Sequence, residues 1–280
     1  MVEKKTKEYW SMTEGVFNCL IDKKRTLAFG KAIRNTIKDG DIVVDMGTGS
    51  GILAMLAVDA GAKKVYAVEF DKKNIKTLEN TFKINNYSNK IVIIEGDVTK
   101  IKLPEKVDVI MGEMIATGLI EELQIPAMNN VLKYANKNVK VLLNKFENYI
   151  DLVYNNEKFY GKNFKIVRYE YPDENDLRSK NLSKKILLNR IDFSVINKKN
   201  KIKKNIVIKI EKKGFINGIR ISSETIFFDE TCFDYSFAYS YPIILPIEEY
   251  KVKKGDVFLV NIEYVMCGGF KTLKYLINKK

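Results

Sequence analysis

"DIVVDMGTGSGILAMLAVDAG", residues 41–61, decides the fold. Its first seven residues form a short valine-rich run, as a strand buried on both faces does. Gly47, Gly49 and Gly51 follow at alternate positions, and the next apolar stretch reads as a helix closed by Gly61. The same grammar continues outward. "KKVYAVEFD" (63–71) reads as a strand and "KKNIKTLENTFKINN" (72–86) as a helix, and "KIVIIEGDV" (90–98), "KVDVIMGE" (106–113) and "NVKVLLN" (138–144) supply three more strands. A further helix is expected from about Ile120 to Tyr134, with Pro126 giving it a kink or a late start. Apolar strands alternating with helices predict an α/β, Rossmann-like domain whose parallel-dominated sheet is covered on both faces.

After about Phe146 the pattern changes. "FKIVRYEY", "RIDFSVI", "NIVIKIEKK", "GIRISSETIFF" and "VFLVNIEYVM" alternate apolar with polar residues and are separated by Gly, Asn and Lys turns. This predicts a mostly antiparallel β domain, a barrel or a sandwich, with domains at 1–145 and 146–280. The 280 residues carry a formal charge of +13, most of it in the second half and concentrated in "NKKNKIKKNIVIKIEKK" (197–213). Such a surplus attracts polyanions without specifying one, although a solvated Lys-rich hairpin is the plainer reading. No apolar run approaches a membrane span, and the charged "MVEKKTKEYWSM" at the start lacks the apolar core of a secretion signal. The three cysteines are scattered with no CxxC pair, so neither a disulfide framework nor a zinc site is expected, and a cytoplasmic location fits. There is no histidine, which removes the commonest general base and metal ligand from any mechanism.

The glycine turn narrows the ligand. A dinucleotide fingerprint is GxGxxG, but here the spacing is GxGxG and Ile52 stands where the last glycine would fall. No Gly-Lys-Ser/Thr follows, so a Walker loop is excluded. GxGxG behind Asp45 resembles motif I of the Rossmann-like S-adenosylmethionine methyltransferases. That resemblance implies a cofactor held by Asp45, Gly47, Gly49 and Gly51. Glu69, at the end of the second strand, would accept the ribose hydroxyls, and Asp97 and the Val98 amide would meet the adenine.

The likeness extends further. "DKKRTLAFGKAI" (22–33) resembles the helix that precedes the sheet in the protein arginine methyltransferases, where an arginine pairs with the cofactor's carboxylate; Arg25 holds that place. "KLPEKVDVIMGEMIATGLIEE" (102–122) resembles that family's double-glutamate stretch, on Glu113 and Glu122, and "SYPIILPIEEYKVKKGD" (240–256) a late strand pair. The resemblance implies a catalytic acid pair that grips the planar guanidinium of an arginine, a poor nucleophile because its charge is spread over three nitrogens. It implies S-adenosylmethionine as cofactor, no metal, a protein substrate and a homodimer. Glu121 is expected to face water.

There are departures. The family's second-domain loop carries a histidine that pairs with an N-terminal acid, and "FAYSYPI" (237–243) stands near that place instead. Met114, Ile115 and Ala116 replace the residues that usually follow the first glutamate. Tyr9 and Trp10 are candidates to cover the cofactor, and the family's dimerisation arm is not recognisable, a polar stretch, "YPDENDLRSKNLSKK" (171–185), standing in roughly its place. RNA is the alternative acceptor, through the basic second half and Tyr154, Tyr160, Tyr169 and Tyr171. Against it, the fourth strand ends in "MGEM", not in the Asn/Asp-Pro-Pro-aromatic motif of base amine methylation. A non-catalytic cofactor-binding scaffold is the third reading.

Overall fold

The computed structural model describes residues 14–172, 174 and 177–280. Tyr9 and Trp10 lie outside the described residues. Two helices, α1 (Glu14–Ile21) and α2 (Lys23–Thr36), precede an alternating unit: β1 (Ile42–Met46), α3 (Ile52–Asp59), β2 (Lys64–Glu69), α4 (Lys72–Ile84), β3 (Ile91–Glu95) and β4 (Val107–Gly112). After a short 3-10 turn at Thr117–Leu119 come α5 (Gln124–Val131) and β5 (Ala135–Val141). The five strands pair in parallel in the order β3-β2-β1-β4-β5. β1 is central, and its end carries the glycine turn. Pro126 sits in the first turn of α5, where its missing N–H costs nothing, so the helix starts late.

The longer strands of the second half are β6 (Leu143–Tyr154), β7 (Ile186–Asp192), β8 (Lys201–Lys209), β9 (Gly214–Phe227), β10 (Ile243–Val252), β11 (Val257–Val265) and β12 (Lys274–Lys279). β6, β9 and β10 are antiparallel neighbours in one sheet, with β7 also pairing β6; β8, β11 and β12 form a second antiparallel sheet. Of the two expected antiparallel architectures, the described residues give two separate ladders and no closed one. Sequence patterning misread two places. "FKIVRYEY" contains only a two-residue strand at Arg168–Tyr169, and the twelve-residue β6 is so nearly buried throughout that it lacks the two-residue alternation of an antiparallel strand. The chain changes sheets between Val141 and Leu143.

The two sheets' layers meet through α2. Its Phe29, fully buried, makes edge-on contacts with Phe227, Phe233 and Tyr239, at ring-centroid distances of 5.1, 6.3 and 5.8 Å. Inside the β domain, Arg220 is buried and gives Nε to Asp151 Oδ1 at 3.0 Å, Nη2 to Asp151 Oδ2 at 2.7 Å and Nη1 to Glu170 Oε2 at 3.2 Å. Removing one partner strands a buried charge. Asp151→Ala is therefore expected to lower unfolding free energy by about 3–5 kcal/mol in urea denaturation, and a loss under 1 kcal/mol would contradict this.

Candidate active site

α2 starts the site. Asp22 caps it, Oδ1 accepting the Arg25 N–H at 3.0 Å, and this presents the Arg25 side chain one turn into the helix. The other oxygen, Oδ2, accepts the Ala238 N–H at 2.8 Å. An N-terminal acid thus holds the second-domain loop through a peptide group, in the place where the family resemblance leads one to look for a histidine. Sequence reading missed Asp22 because its partner is a backbone amide, which no residue type announces.

Arg25 is buried, and its Nε and Nη2 both donate to Glu113 Oε2, at 2.9 and 2.6 Å; Nη1 donates to the Cys19 carbonyl at 3.2 Å. Glu113 sits just beyond β4, and its second oxygen accepts the Ile115 N–H at 3.1 Å. The residue expected to meet the cofactor's carboxylate therefore lies against the first of the two expected catalytic acids. Three of the five N–H donors of that guanidinium are taken by these bonds.

The loop between the acids is held by the other domain. Thr117 Oγ1 donates to the Tyr241 carbonyl at 2.6 Å, and the Gly118 N–H donates to Ser223 Oγ at 2.9 Å. The Tyr264 hydroxyl donates to the Gly118 carbonyl at 2.9 Å, and the Cys267 and Gly269 N–H groups donate to the Leu119 and Ile120 carbonyls at 2.7 and 2.8 Å. Gln124 Oε1 accepts the Met114 N–H at 3.0 Å. So fastened, the loop carries two non-glycine residues in the left-handed region, Leu119 at φ 52° and Glu122 at φ 56°. Such conformations are costly and persist where the surroundings enforce them, commonly at functional sites. Burial, and then the charge of Glu113, push the Glu122 carboxyl up to about 8. Glu121 is less solvated than expected: its Oε2 accepts the Tyr169 hydroxyl at 3.4 Å.

At the β1 end, Asp45 is buried. Its Oδ2 accepts the Thr48 hydroxyl at 2.6 Å, its Oδ1 has no partner among the described residues, and burial pushes its carboxyl up to about 6. The three glycines do different things. A Cβ on Gly51 would lie 2.6 Å from the Phe82 ring, so this position admits α4 rather than a ligand. A Cβ on Gly47 would lie 3.2 Å from the Met114 side chain, bringing the turn against the acid loop. A Cβ on Gly49, at φ 56°, would have as its nearest neighbours among the described residues Val16 of α1, 3.7 Å away, and the Gly47 carbonyl at 3.9 Å, ordinary contact distances. Glu69 ends β2, and its four acceptor positions take the N–H groups of Phe70, Asp71, Gly49 and Asn74 at 2.8, 2.9, 3.1 and 3.2 Å. Asn74, which also donates to the Gly49 carbonyl at 2.7 Å, is a site residue that sequence reading passed over. Asp97, after β3, bonds the Thr99 N–H and hydroxyl and pairs with Lys100, while Val98 is buried beside it.

These residues fit S-adenosylmethionine. Asp45 Oδ1 is an unused buried acceptor, Gly49 leaves room beside the turn, and Arg25 keeps two N–H donors beyond its three bonds. Glu69 would exchange its Gly49 and Asn74 bonds for hydroxyl donors. Among the described residues no three Asp, Glu, Cys or His side chains gather as metal ligands, and no helix is long and apolar enough to cross a membrane.

A parallel sheet whose first strand ends in GxGxG, with acids at the next two strand ends, defines a class I S-adenosylmethionine-dependent methyltransferase. Residues 26–147 match the family described as ribosomal protein L11 methyltransferase (PrmA). The chain is 32% identical to uncharacterized protein MJ1452 of Methanocaldococcus jannaschii, over 92% of this chain and 94% of that one. It is 41% identical over 107 residues to histone-arginine methyltransferase CARMER of Anopheles gambiae, which covers 38% of this chain but only 17% of that protein. The Trypanosoma brucei PRMT1 enzyme-prozyme complex with AdoHcy has the same fold, with TM-score 0.75, 17% identity and coverage of 94% and 96%. The chain is an S-adenosylmethionine-dependent methyltransferase of one family with uncharacterized protein MJ1452, and it is related to the protein arginine methyltransferases.

The raised Glu122 carboxyl has a consequence that needs no substrate. Between about pH 4.5 and 8 the folded protein holds this proton while the unfolded chain has lost it, so stability falls across that window and levels off above it. Glu122→Gln removes the loss. Its melting temperature relative to the parent is expected to rise from pH 5 to pH 9 by a few degrees. A difference independent of pH in calorimetric scans would show that Glu122 is ordinarily solvated.

Proposed function

We propose that this protein transfers methyl groups to arginine side chains of proteins, with Glu113 and Glu122 as the acids that hold the acceptor guanidinium. One observation carries the reading: Glu113 already binds a guanidinium, that of Arg25, through two N–H groups, and a half-buried Glu122 with a raised carboxyl stands at the other end of the same fastened loop. When bound, S-adenosylmethionine supplies a methyl group carried on a sulfonium. Arg25, Asp45, Gly47, Gly49, Glu69, Asp97 and the Val98 amide hold it, and Gly51 serves by seating α3 against α4. The two carboxylates orient the flat acceptor and draw positive charge onto the nitrogens they face. The remaining terminal nitrogen is left the better nucleophile. With a single guanidinium between two acids, the one that Arg25 does not neutralise is Glu122. Arrival of a cationic acceptor displaces its proton to solvent, and the ionised carboxylate then takes the proton that the methylated nitrogen sheds. No histidine is required.

Cytoplasmic residence and a homodimer belong to the same reading. Phe17, Leu20 and Ile21 of α1 and Leu27 of α2 are exposed apolar side chains that self-association would cover.

Gly49→Arg is expected to abolish S-adenosylmethionine binding in calorimetry, because its side chain would enter the space beside the turn; retained affinity would refute the assigned cradle. Glu122→Gln is expected to keep that affinity nearly intact and to lower turnover at least about a hundredfold, the scale of one preorganised charge. Unchanged turnover would remove the acid clamp. Labelled methyl recovered in ribonuclease-sensitive rather than protease-sensitive material would make RNA the acceptor, and binding without turnover on any extract would make the protein a scaffold.

A further inference from the structure

A second concavity, of about 860 Å³, opens in the β domain between the end of β6, the start of β9, the 178–185 segment and the 234–242 segment. Besides the buried Arg220, five exposed cationic side chains line it: Arg178, Lys180, Lys185, Lys212 and Lys213. Among the described residues none of the five has a carboxylate within ion-pairing distance. Of the two acids in its described lining, Glu170 is engaged by Arg220 and Asp234 by Lys24, each at 3.2 Å. The cavity therefore carries a net positive field that its own walls do not neutralise.

Ser222, on β9, gives the second observation. It is only 4% exposed and lines the cavity, and its Oγ has no hydrogen-bond partner among the described residues. A buried hydroxyl without a partner costs free energy, and a ligand oxygen would relieve that cost. The rim is aromatic: Tyr154 and Phe215 lie 6.5 Å apart between ring centroids, and Phe215 is exposed.

We propose that this cavity binds a multiply charged phosphate-bearing ligand of nucleotide size. Lysine ammoniums are point charges suited to phosphate oxygens, and Arg178 adds a fork that can take two of them. Cations gathered around one concavity suit a compact polyanion better than an acidic segment, whose charges are strung along an extended backbone. The aromatic pair offers a face to a base. The site is separate from the glycine turn and does not depend on the identity of the methyl acceptor.

Calorimetric titration of the full chain with sodium tripolyphosphate and with ATP tests this. Both are expected to bind at low salt and to weaken steeply as salt rises. The double variant Lys212→Ala, Lys213→Ala, altering two exposed side chains, is expected to lose at least about tenfold in affinity for both. Gly49→Arg, which closes the adenosyl site, is expected to leave both affinities unchanged. Tighter binding of ATP than of tripolyphosphate in that variant would assign the aromatic rim to the base, and equal binding would reduce the ligand to its phosphates alone, overturning the nucleotide-size claim. Failure of both to bind, binding insensitive to the double variant, or displacement of tripolyphosphate by a hexa-aspartate peptide at lower concentration would overturn the proposal.

Discussion

The site depends on one mechanical constraint: the Thr117 hydroxyl and the peptide groups of residues 118–120 are tied to the β domain, not to the sheet that precedes them. Ser223, Tyr241, Tyr264, Cys267 and Gly269 all contribute a donor or an acceptor. A loop buried between two domains has no water to satisfy its backbone, so every unpaired group there would count against folding. Satisfying them from the far side does two things. It closes the domains on one another, and it allows Leu119 and Glu122 to remain in backbone conformations they would otherwise abandon. The acid pair is accordingly a property of the assembled chain rather than of either half.

Charge balance then sets the site's behaviour. One buried guanidinium faces two acids, and it spends itself on Glu113. Glu122, with less compensation, retains its proton through neutral pH. Asp22 underlies this arrangement, since the same carboxylate caps the helix that presents Arg25 and anchors the loop at Ala238. The aromatic contacts of Phe29 fasten that helix further along. A geometry that other chains could secure with a side-chain pair is here secured by a peptide N–H.

The β domain handles its cations in two ways. Arg220 is buried and fully engaged with Asp151, Glu170, Ser179 and Asn181, which binds β6 and β9 to the preceding segment. The lysines remain at the surface, along β8 and around the concavity that Ser222 lines. Buried ion pairs require matched partners, whereas exposed lysines tolerate solvent, and this explains why most of the positive surplus stays available to an anion.

The parallel sheet was legible residue by residue. "DIVVDMG" and the strands after it are apolar throughout because both faces are covered, and glycine spacing with Asp45, Glu69 and Asp97 at successive strand ends marked the crevice. The antiparallel half was legible as a class but not in its strands. β6 is buried too completely to alternate, and the short Arg168–Tyr169 strand is kept by its pairing with β10, not by its own pattern. Glu113, Glu122 and Arg25 could be named from the chain through its resemblance to the arginine methyltransferases, which rests on local stretches of sequence. Only the folded structure could decide that Arg25 lies on Glu113, that Gly51 serves packing while Gly49 leaves space, and that Asp22, Asn74 and Gln124 belong to the site. Those relations join residues tens to hundreds of positions apart, or run through backbone amides, and neither periodicity nor composition encodes a contact of that kind.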